Sequence, residues 1–336
     1  MDSLTQIVLG AAVGEAVLGK KIGNRAMLWG AIAGTIPDLD VFIKYFTDPI
    51  TSTELHRGIS HSLFFSIVMA PILGWIVYKI HKRWKEVTFK NWSSLFFWSL
   101  VTHPLLDANT TWGTQFFWPF DYRLAYKNIF VADPLYTVPF LIFLIVAMCY
   151  KRTNPKRTKF NNIGLIVSTS YMALTFLLKG IGYVKFTEAI DNQNIDYLEM
   201  DTRPTPLNTI LWNSQVETKT GYRVAYYSFF DSKKVKFSKE IPKNHHLLLP
   251  YKDQKVVKQL LKIAVGWYIV EQTEEKGKMY FYDIRFGQFG FEDDSEFVWK
   301  YELNINDEGI VEAVQIQPEF KIGEMFSSLG KRIIGN

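Results

Sequence analysis

Residues 56–80 read HRGISHSLFFSIVMAPILGWIVYKI: a histidine–arginine–glycine turn, a second histidine, then an almost unbroken apolar run. The run over 60–78 approaches the roughly 20 residues needed to cross hydrocarbon. It therefore reads as a membrane helix with two imidazoles at its mouth. Ionisable groups beside a bilayer are costly and mark function by default. Histidines five apart do not share a helix face, so His56 is expected on the loop and His61 at the helix entry. Gly58 permits the bend, and Ser60 is expected to cap the helix.

Working outward, five more apolar segments lie at about 4–18, 27–46, 92–106, 132–150 and 163–179. With 60–78, segment 132–150 is the strongest; 4–18 is short and either spans or is re-entrant. Segments 27–46 and 92–106 carry acids and a histidine, so they must face protein or a wet cavity. Basic residues bunch in alternate connections: Lys20, Lys21 and Arg25; then Lys79, Lys82, Arg83, Lys85 and Lys90; then Lys151, Arg152, Lys156, Arg157 and Lys159. The positive-inside rule makes these connections cytoplasmic. The intervening connections, 47–59 and 107–131, and everything after residue 180 are then extracytoplasmic.

The average hydropathy is near zero because two unlike halves cancel. Residues 1–180 hold 18 Lys+Arg against 10 Asp+Glu, a net of +8; residues 181–336 hold 20 against 23, a net of −3. The fold class expected is α + β: a polytopic helical membrane domain over 1–180 with five to six apolar segments, then a soluble, mostly β domain over 181–336. Tyr222–Phe230, Met279–Phe286 and Phe297–Ile305 read as strands, bounded by turns such as Asp307-Glu308-Gly309, and one helix is expected near 252–264. Cys149 is the only cysteine, so no intramolecular disulfide forms. The N-terminus lacks a basic stretch, Asp2 is acidic and Glu15 interrupts the first apolar run, so an uncleaved first segment is expected.

The candidate site gathers around the histidine turn. In segment two, Gly34-Thr-Ile-Pro37-Asp38-Leu-Asp40 carries two carboxylates behind a proline. A proline-distorted turn can aim both at one ion, or one at each of two. His103 and Asp107 are four apart, on one face of a helix. The topology brings Asp38, Asp40, His56, His61, His103, Asp107 and Asp133 towards the outer leaflet together. Gln6, Glu15, Ser62 and Asp133 are candidates to stand behind the ligands and orient them. For Glu15 a structural ion pair, and for Asp133 a helix cap, are equally open readings. Trp112, Phe116, Phe117, Trp118, Phe120 and Tyr122 look like an interfacial aromatic belt; His81 falls in a basic connection, and His245 and His246 are expected to be exposed.

The opening Met1-Asp2-Ser-Leu-Thr5, the Pro37-Asp38-Leu-Asp40 turn, His56-Arg57-Gly58-Ile-Ser60-His61-Ser62 and His103-Pro-Leu-Leu-Asp107 together resemble the YdjM-type family over about residues 1–150. That family is described as inner-membrane-associated, metal-dependent hydrolases, with a LexA-binding label on some members. The resemblance implies hydrolase activity. The chain departs from the pattern at Gln6, where many members have histidine. The topology puts the large soluble domain on the far side from a cytoplasmic repressor, so LexA binding is not adopted. No nucleic-acid partner is expected either, because membrane orientation accounts for the mild overall basicity.

Three histidines and three or four carboxylates exceed what one tetrahedral zinc needs. One or two divalent ions are therefore expected, zinc or manganese before iron. His56, His61, His103 and Asp107 are assigned as ligands, Asp38 and Asp40 as ligand and base, and Arg57 as the group meeting negative charge on the substrate. A site at the outer face suggests a lipid or phosphoester substrate; membrane lipids are the other expected partners, and what the β domain binds is left open. The rivals are a metal-ion or proton transporter, a non-enzymatic membrane-anchored scaffold, and a metal-independent lipid phosphatase. The last needs an arginine shortly before its histidine, which residues 92–102 lack. The absence of an H-E-x-x-H motif removes the common zinc proteases, and no glycine-rich nucleotide loop occurs.

Overall fold

The computed structural model describes residues 1–82, 86–293, 295–316 and 322–335, so Arg83 and Lys85 of the second basic cluster lie outside the described residues. The chain forms two compact units. The first comprises Met1–Phe42, Leu55–Leu177 and Pro206–Thr209; the second comprises Ile43–Glu54, Leu178–Thr205 and Ile210–Asn336.

The first unit is helical. Helix α1 (Ser3–Ile22) is capped by Asp2, whose carboxylate accepts from the Thr5 amide at 3.1 Å, and ends at Gly23 with φ +64°. A left-handed turn of this kind favours glycine. Helix α2 (Asn24–Thr35) folds straight back against α1. Here small residues decide the packing: a Cβ placed on Gly30 would lie 2.1 Å from the Gly10 carbonyl, and one on Gly14 2.2 Å from that of Ala26. Only bare backbone allows so close an approach, the usual device for helix pairs in membranes.

Pro37 then ends the regular ladder. The chain continues as a 3₁₀ helix, Pro37–Tyr45, bent 46° from α2, followed by α3 (Pro49–Leu55). Helix α4 (Leu63–Ile80) is capped by Ser62, whose hydroxyl accepts from the Phe65 amide at 3.0 Å. The cap expected at Ser60 thus sits two residues later, because residues 59–61 form their own 3₁₀ turn. Helix α5 (Phe89–Asp107) begins with a capping box between Thr88 and Asn91. Helix α6 (Pro134–Met148) is capped by Asp133, and α7 (Pro155–Asn192) runs unbroken through the boundary expected at residue 180.

The six apolar segments all fall on helices, but among the described residues length and composition qualify two to cross a membrane, Leu63–Ile80 and Pro155–Asn192. A third is added if α2 and its bent continuation count as one broken span. Helix α1 is largely buried and packs on α2, α5 and α6, so it is an interior element.

Among its described residues the second unit holds two four-stranded antiparallel sheets, each in sequential order. The first is β1 (Glu199–Pro204), β2 (Leu211–Glu217), β3 (Gly221–Ser228) and β4 (Ile241–Pro242). The second is β5 (Tyr268–Gln272), β6 (Lys278–Gln288), β7 (Phe297–Ile305) and β8 (Val311–Ile316). Phe186 and Ile190 at the end of α7 pack with Trp212 and Val216 of β2. Helix α8 (Lys255–Ala264) buries Val257, Leu260 and Ile263 and turns its lysines outward, as the apolar period predicts. Helix α9 (Ile322–Ile333), which the sequence pattern did not announce, is held by an Arg332–Asp231 fork at 2.6 and 2.8 Å. Helices and antiparallel sheets lie in successive halves, the α + β arrangement the patterning predicts.

Candidate metal centre

Three chain segments supply the site. The 3₁₀ helix after Pro37 carries Asp38, the 3₁₀ turn before α4 carries His61, and the last turn of α5 carries His103 and Asp107. One ligand atom from each of these four residues lies within 4.8 Å of the other three. His61 Nε2 is 3.1 Å from His103 Nε2, 3.2 Å from Asp38 Oδ1 and 3.3 Å from Asp107 Oδ2. His103 Nε2 is 3.3 Å from each carboxylate. A tetrahedron with ligand bonds of 2.0–2.1 Å has edges of about 3.3 Å, so five of the six edges already have the length an ion would require.

The outer nitrogens explain why both imidazoles face inward. His103 Nδ1 is 2.6 Å from the Gly34 carbonyl, and His61 Nδ1 is 3.0 Å from Ser60 Oγ and 3.3 Å from Asp40 Oδ2. Donation from Nδ1 leaves the Nε2 lone pairs pointing at one another, the arrangement metal-binding histidines adopt. Two lone pairs at 3.1 Å repel unless a cation stands between them. Asp107 Oδ2 is buried and has no hydrogen-bond partner among the described residues. An orphaned buried carboxylate oxygen is expensive, and here it faces the gap between the histidines. The donor set of two nitrogens and two carboxylates thus fits a divalent cation.

Asp107 Oδ1 is held from behind. Gln6 Nε2 donates to it at 3.1 Å, Arg57 Nη2 lies 3.4 Å away, and the Met1 amino group is against it. Arg57 itself is buried, with φ +58°, and its Nη1 donates to Thr110 Oγ1 at 2.9 Å. Burial lowers its pKa to about 10, and the nearby carboxylates oppose that shift.

Asp40 and His56 form an adjoining layer rather than part of the four-donor group. Asp40 accepts from the Arg57 amide and Ser60 Oγ, each at 2.9 Å, and its Oδ1 is 2.9 Å from His56 Nδ1. His56 keeps a side-chain exposure of 34 %. Burial nonetheless pushes its imidazole pKa down, against the opposing pull of Asp40. The His56 carbonyl accepts from both terminal nitrogens of Arg123 at 3.2 Å.

The expected residues are therefore sorted into different places. Asp38, His61, His103 and Asp107 converge, and Gln6 stands directly behind Asp107. Glu15 does not serve the site. It forms a buried pair with Arg157, Nε–Oε1 2.6 Å and Nη2–Oε2 2.5 Å, because an isolated buried carboxylate would be too costly. Ser62 and Asp133 serve as helix caps; Asp133 also accepts from Tyr171 Oη at 3.0 Å. Trp112 leaves the proposed belt to pack beside His56, ring centroids 6.1 Å apart, and Phe116 is buried; Phe117, Phe120 and Tyr122 remain exposed. His81 stacks on Trp92 and His245 on Tyr268. The Gly34 carbonyl, Ser60, Thr110 and Arg123 were not expected at the site. Only Ser60 and Gly34, quoted within its motifs, could have been found from sequence.

A family model described as YdjM inner membrane protein matches residues 1–184. Inner membrane protein YbcI of Escherichia coli (strain K12) is 33 % identical over 116 residues, covering 34 % of this chain and 64 % of that protein. The chain thus spans somewhat under two thirds of that relative's length. No solved structure matches. The matched region contains all four converging donors and every residue that orients them, and on that match the chain belongs to the YdjM inner membrane protein family.

Proposed function

We propose that this protein is a metal-dependent hydrolase whose site opens at the outer face of the inner membrane. The observation that carries the reading is the convergence of His61, His103, Asp38 and Asp107 around an orphaned carboxylate oxygen, in a unit built of apolar helices. Four donors at these spacings suit one ion, and mixed nitrogen and oxygen donors suit zinc or manganese. Such an ion supplies Lewis acidity and lowers the pKa of water towards neutrality.

The chain's own groups divide the remaining work. Asp40 fixes the ring of His61 and holds the Nδ1 proton of His56. His56 Nε2 is then the acceptor for a proton released during hydrolysis, and returns it to the leaving group. Arg57 directs its charge at Asp107, so it orients a ligand rather than clamping substrate. In this reading six apolar segments enter the bilayer, the basic connections are cytoplasmic and the β-rich unit is outside. The substrate is an amphiphilic ester or phosphoester. Leu39, Val41 and Phe42, exposed on the same 3₁₀ helix as Asp38, support that choice.

Metal content of detergent-purified protein, compared with His103→Ala, tests the reading. Stoichiometric metal that the variant loses, followed by hydrolysis in a panel of lipid esters and phosphoesters, is the expected result. No metal in folded wild type after reconstitution with zinc and manganese would sink the metal site. Metal without hydrolysis across the panel would sink the enzyme.

A further inference from the structure

Strand β3 ends at Ser228, and the end of α9 is fastened to the turn that follows it. Ser228 Oγ donates to the Ile333 carbonyl at 2.5 Å, and Arg332 forks onto Asp231 at 2.6 and 2.8 Å. Gly335, with φ +106°, comes so close that a Cβ there would meet the Phe230 carbonyl. Despite these attachments two large apolar side chains at the junction stay in solvent: Phe230 is 59 % exposed and Ile334 74 %. Phe326 is exposed as well and, seven residues before Ile333, shares its face of α9. Beside them in the chain stand Lys233, Lys234 and Lys331, all exposed, none with a hydrogen bond or ion pair among the described residues. Asp231 is the only acid between Tyr226 and Lys239, and residues 325–336 contain none. Arg332 neutralises that single carboxylate, so the three lysines keep their charge unopposed.

Single apolar side chains scattered over a surface need no explanation. A firmly held group of them, accompanied by unpaired lysines, has the composition that settles at a lipid–water boundary. There the apolar tips enter the edge of the acyl chains and the ammonium groups meet anionic headgroups. A second copy of the chain fits less well, since a symmetric contact would set these lysines against their own counterparts. The patch also begins close to a tether. The chain leaves the helical unit between Thr209 and Ile210, and the Ile210 carbonyl accepts from the Phe229 amide at 3.2 Å. Tethering raises the effective concentration of a neighbouring surface, so a weak attraction suffices. We propose that this corner of the second unit docks on the surface of an acidic phospholipid bilayer. The inference is independent of the hydrolase reading.

The test places an environment-sensitive fluorophore at Ser327→Cys, an exposed position on α9, in full-length protein carrying Cys149→Ala so that the probe is unique. The protein is reconstituted in nanodiscs of phosphatidylcholine alone or mixed with phosphatidylglycerol. Phosphatidylglycerol should shift the emission to the blue and bring the probe within reach of lipid-borne quenchers; phosphatidylcholine alone should do neither. In the triple variant Lys233→Gln, Lys234→Gln, Lys331→Gln the ratio of docked to free should fall about fivefold per charge, roughly a hundredfold in all. Phe230→Ser with Ile334→Ser, which alters no charge, should weaken docking in the same discs. All five side chains are exposed, and an unchanged gel-filtration profile verifies the fold. Equal emission in both kinds of disc, or a triple variant docked as firmly as wild type, would overturn the proposal and leave the patch to a soluble partner.

Discussion

Replacing Asp40 with asparagine separates two roles that its sequence neighbourhood leaves merged. Asp40 has a side-chain exposure of 4 % and meets four groups: His56 Nδ1, the Arg57 amide and Ser60 Oγ at 2.9 Å, and His61 Nδ1 at 3.3 Å. None of these is a ligand atom facing the ion. Asparagine preserves the shape but removes the charge and one acceptor, so His61 is held less firmly in its Nε2-inward tautomer. Losing a partner of this kind typically lowers metal affinity by about 10- to 100-fold, which is about 1.4–2.7 kcal/mol. The assay is a chelator competition against zinc-loaded wild type, Asp40→Asn and Asp38→Asn. Asp40→Asn should retain stoichiometric metal with a right-shifted release curve, whereas Asp38→Asn should lose it. Complete loss in Asp40→Asn would make Asp40 a ligand and call for a second ion; an unshifted curve would mean the hydrogen bonds to His61 do not tune it.

Further outcomes follow from the same geometry. His56→Ala should keep its metal and lose hydrolysis, measured on one sample by mass spectrometry and turnover; metal loss would return His56 to the ligand set. Glu15→Gln leaves the Arg157 charge buried without its partner, and should destabilise the fold by about 3–5 kcal/mol without altering metal stoichiometry in the folded fraction. Thermal unfolding in detergent reads the first effect, and an unchanged midpoint would contradict it. Gly30→Ala forces a methyl towards the Gly10 carbonyl and should cost about 1–3 kcal/mol; a variant as stable as wild type would show that α1 and α2 can separate freely. Thr110→Val removes the acceptor of Arg57 Nη1 and should cost about 1–3 kcal/mol, read in the same unfolding assay.

Local patterns in the sequence singled out Asp38, His61, His103 and Asp107 but did not separate them from Asp40 and His56. The spacing of His103 and Asp107 fixes a shared helix face, so both emerged together. Asp38 and Asp40 could not be told apart, because a 3₁₀ turn after Pro37 turns one towards the histidines and the other back towards Ser60. The partner of Glu15 lies 142 residues away, beyond any local pattern. The small-residue seam of α1 and α2 has a visible spacing in Gly10, Gly14, Gly30 and Gly34. Its consequence, bringing the Gly34 carbonyl where His103 Nδ1 can reach it, requires the packed helix pair. In the second unit, alternation disclosed β3, β6 and β7. The buried polar contacts of Arg203 and Gln215 with the Ile284 carbonyl left no periodic trace.

The four donors come from segments separated by more than twenty and then more than forty residues, and the site is one of the places where those segments meet. An ion held there is also a fastener. If it binds only the folded chain, a free concentration a hundred times the dissociation constant adds about 2.7 kcal/mol to stability. Scarcity of the ion would then loosen the 3₁₀ helix and the histidine turn from α5, exposing them to membrane proteases. The cell's supply of one trace element would thereby govern how long each copy of the protein survives.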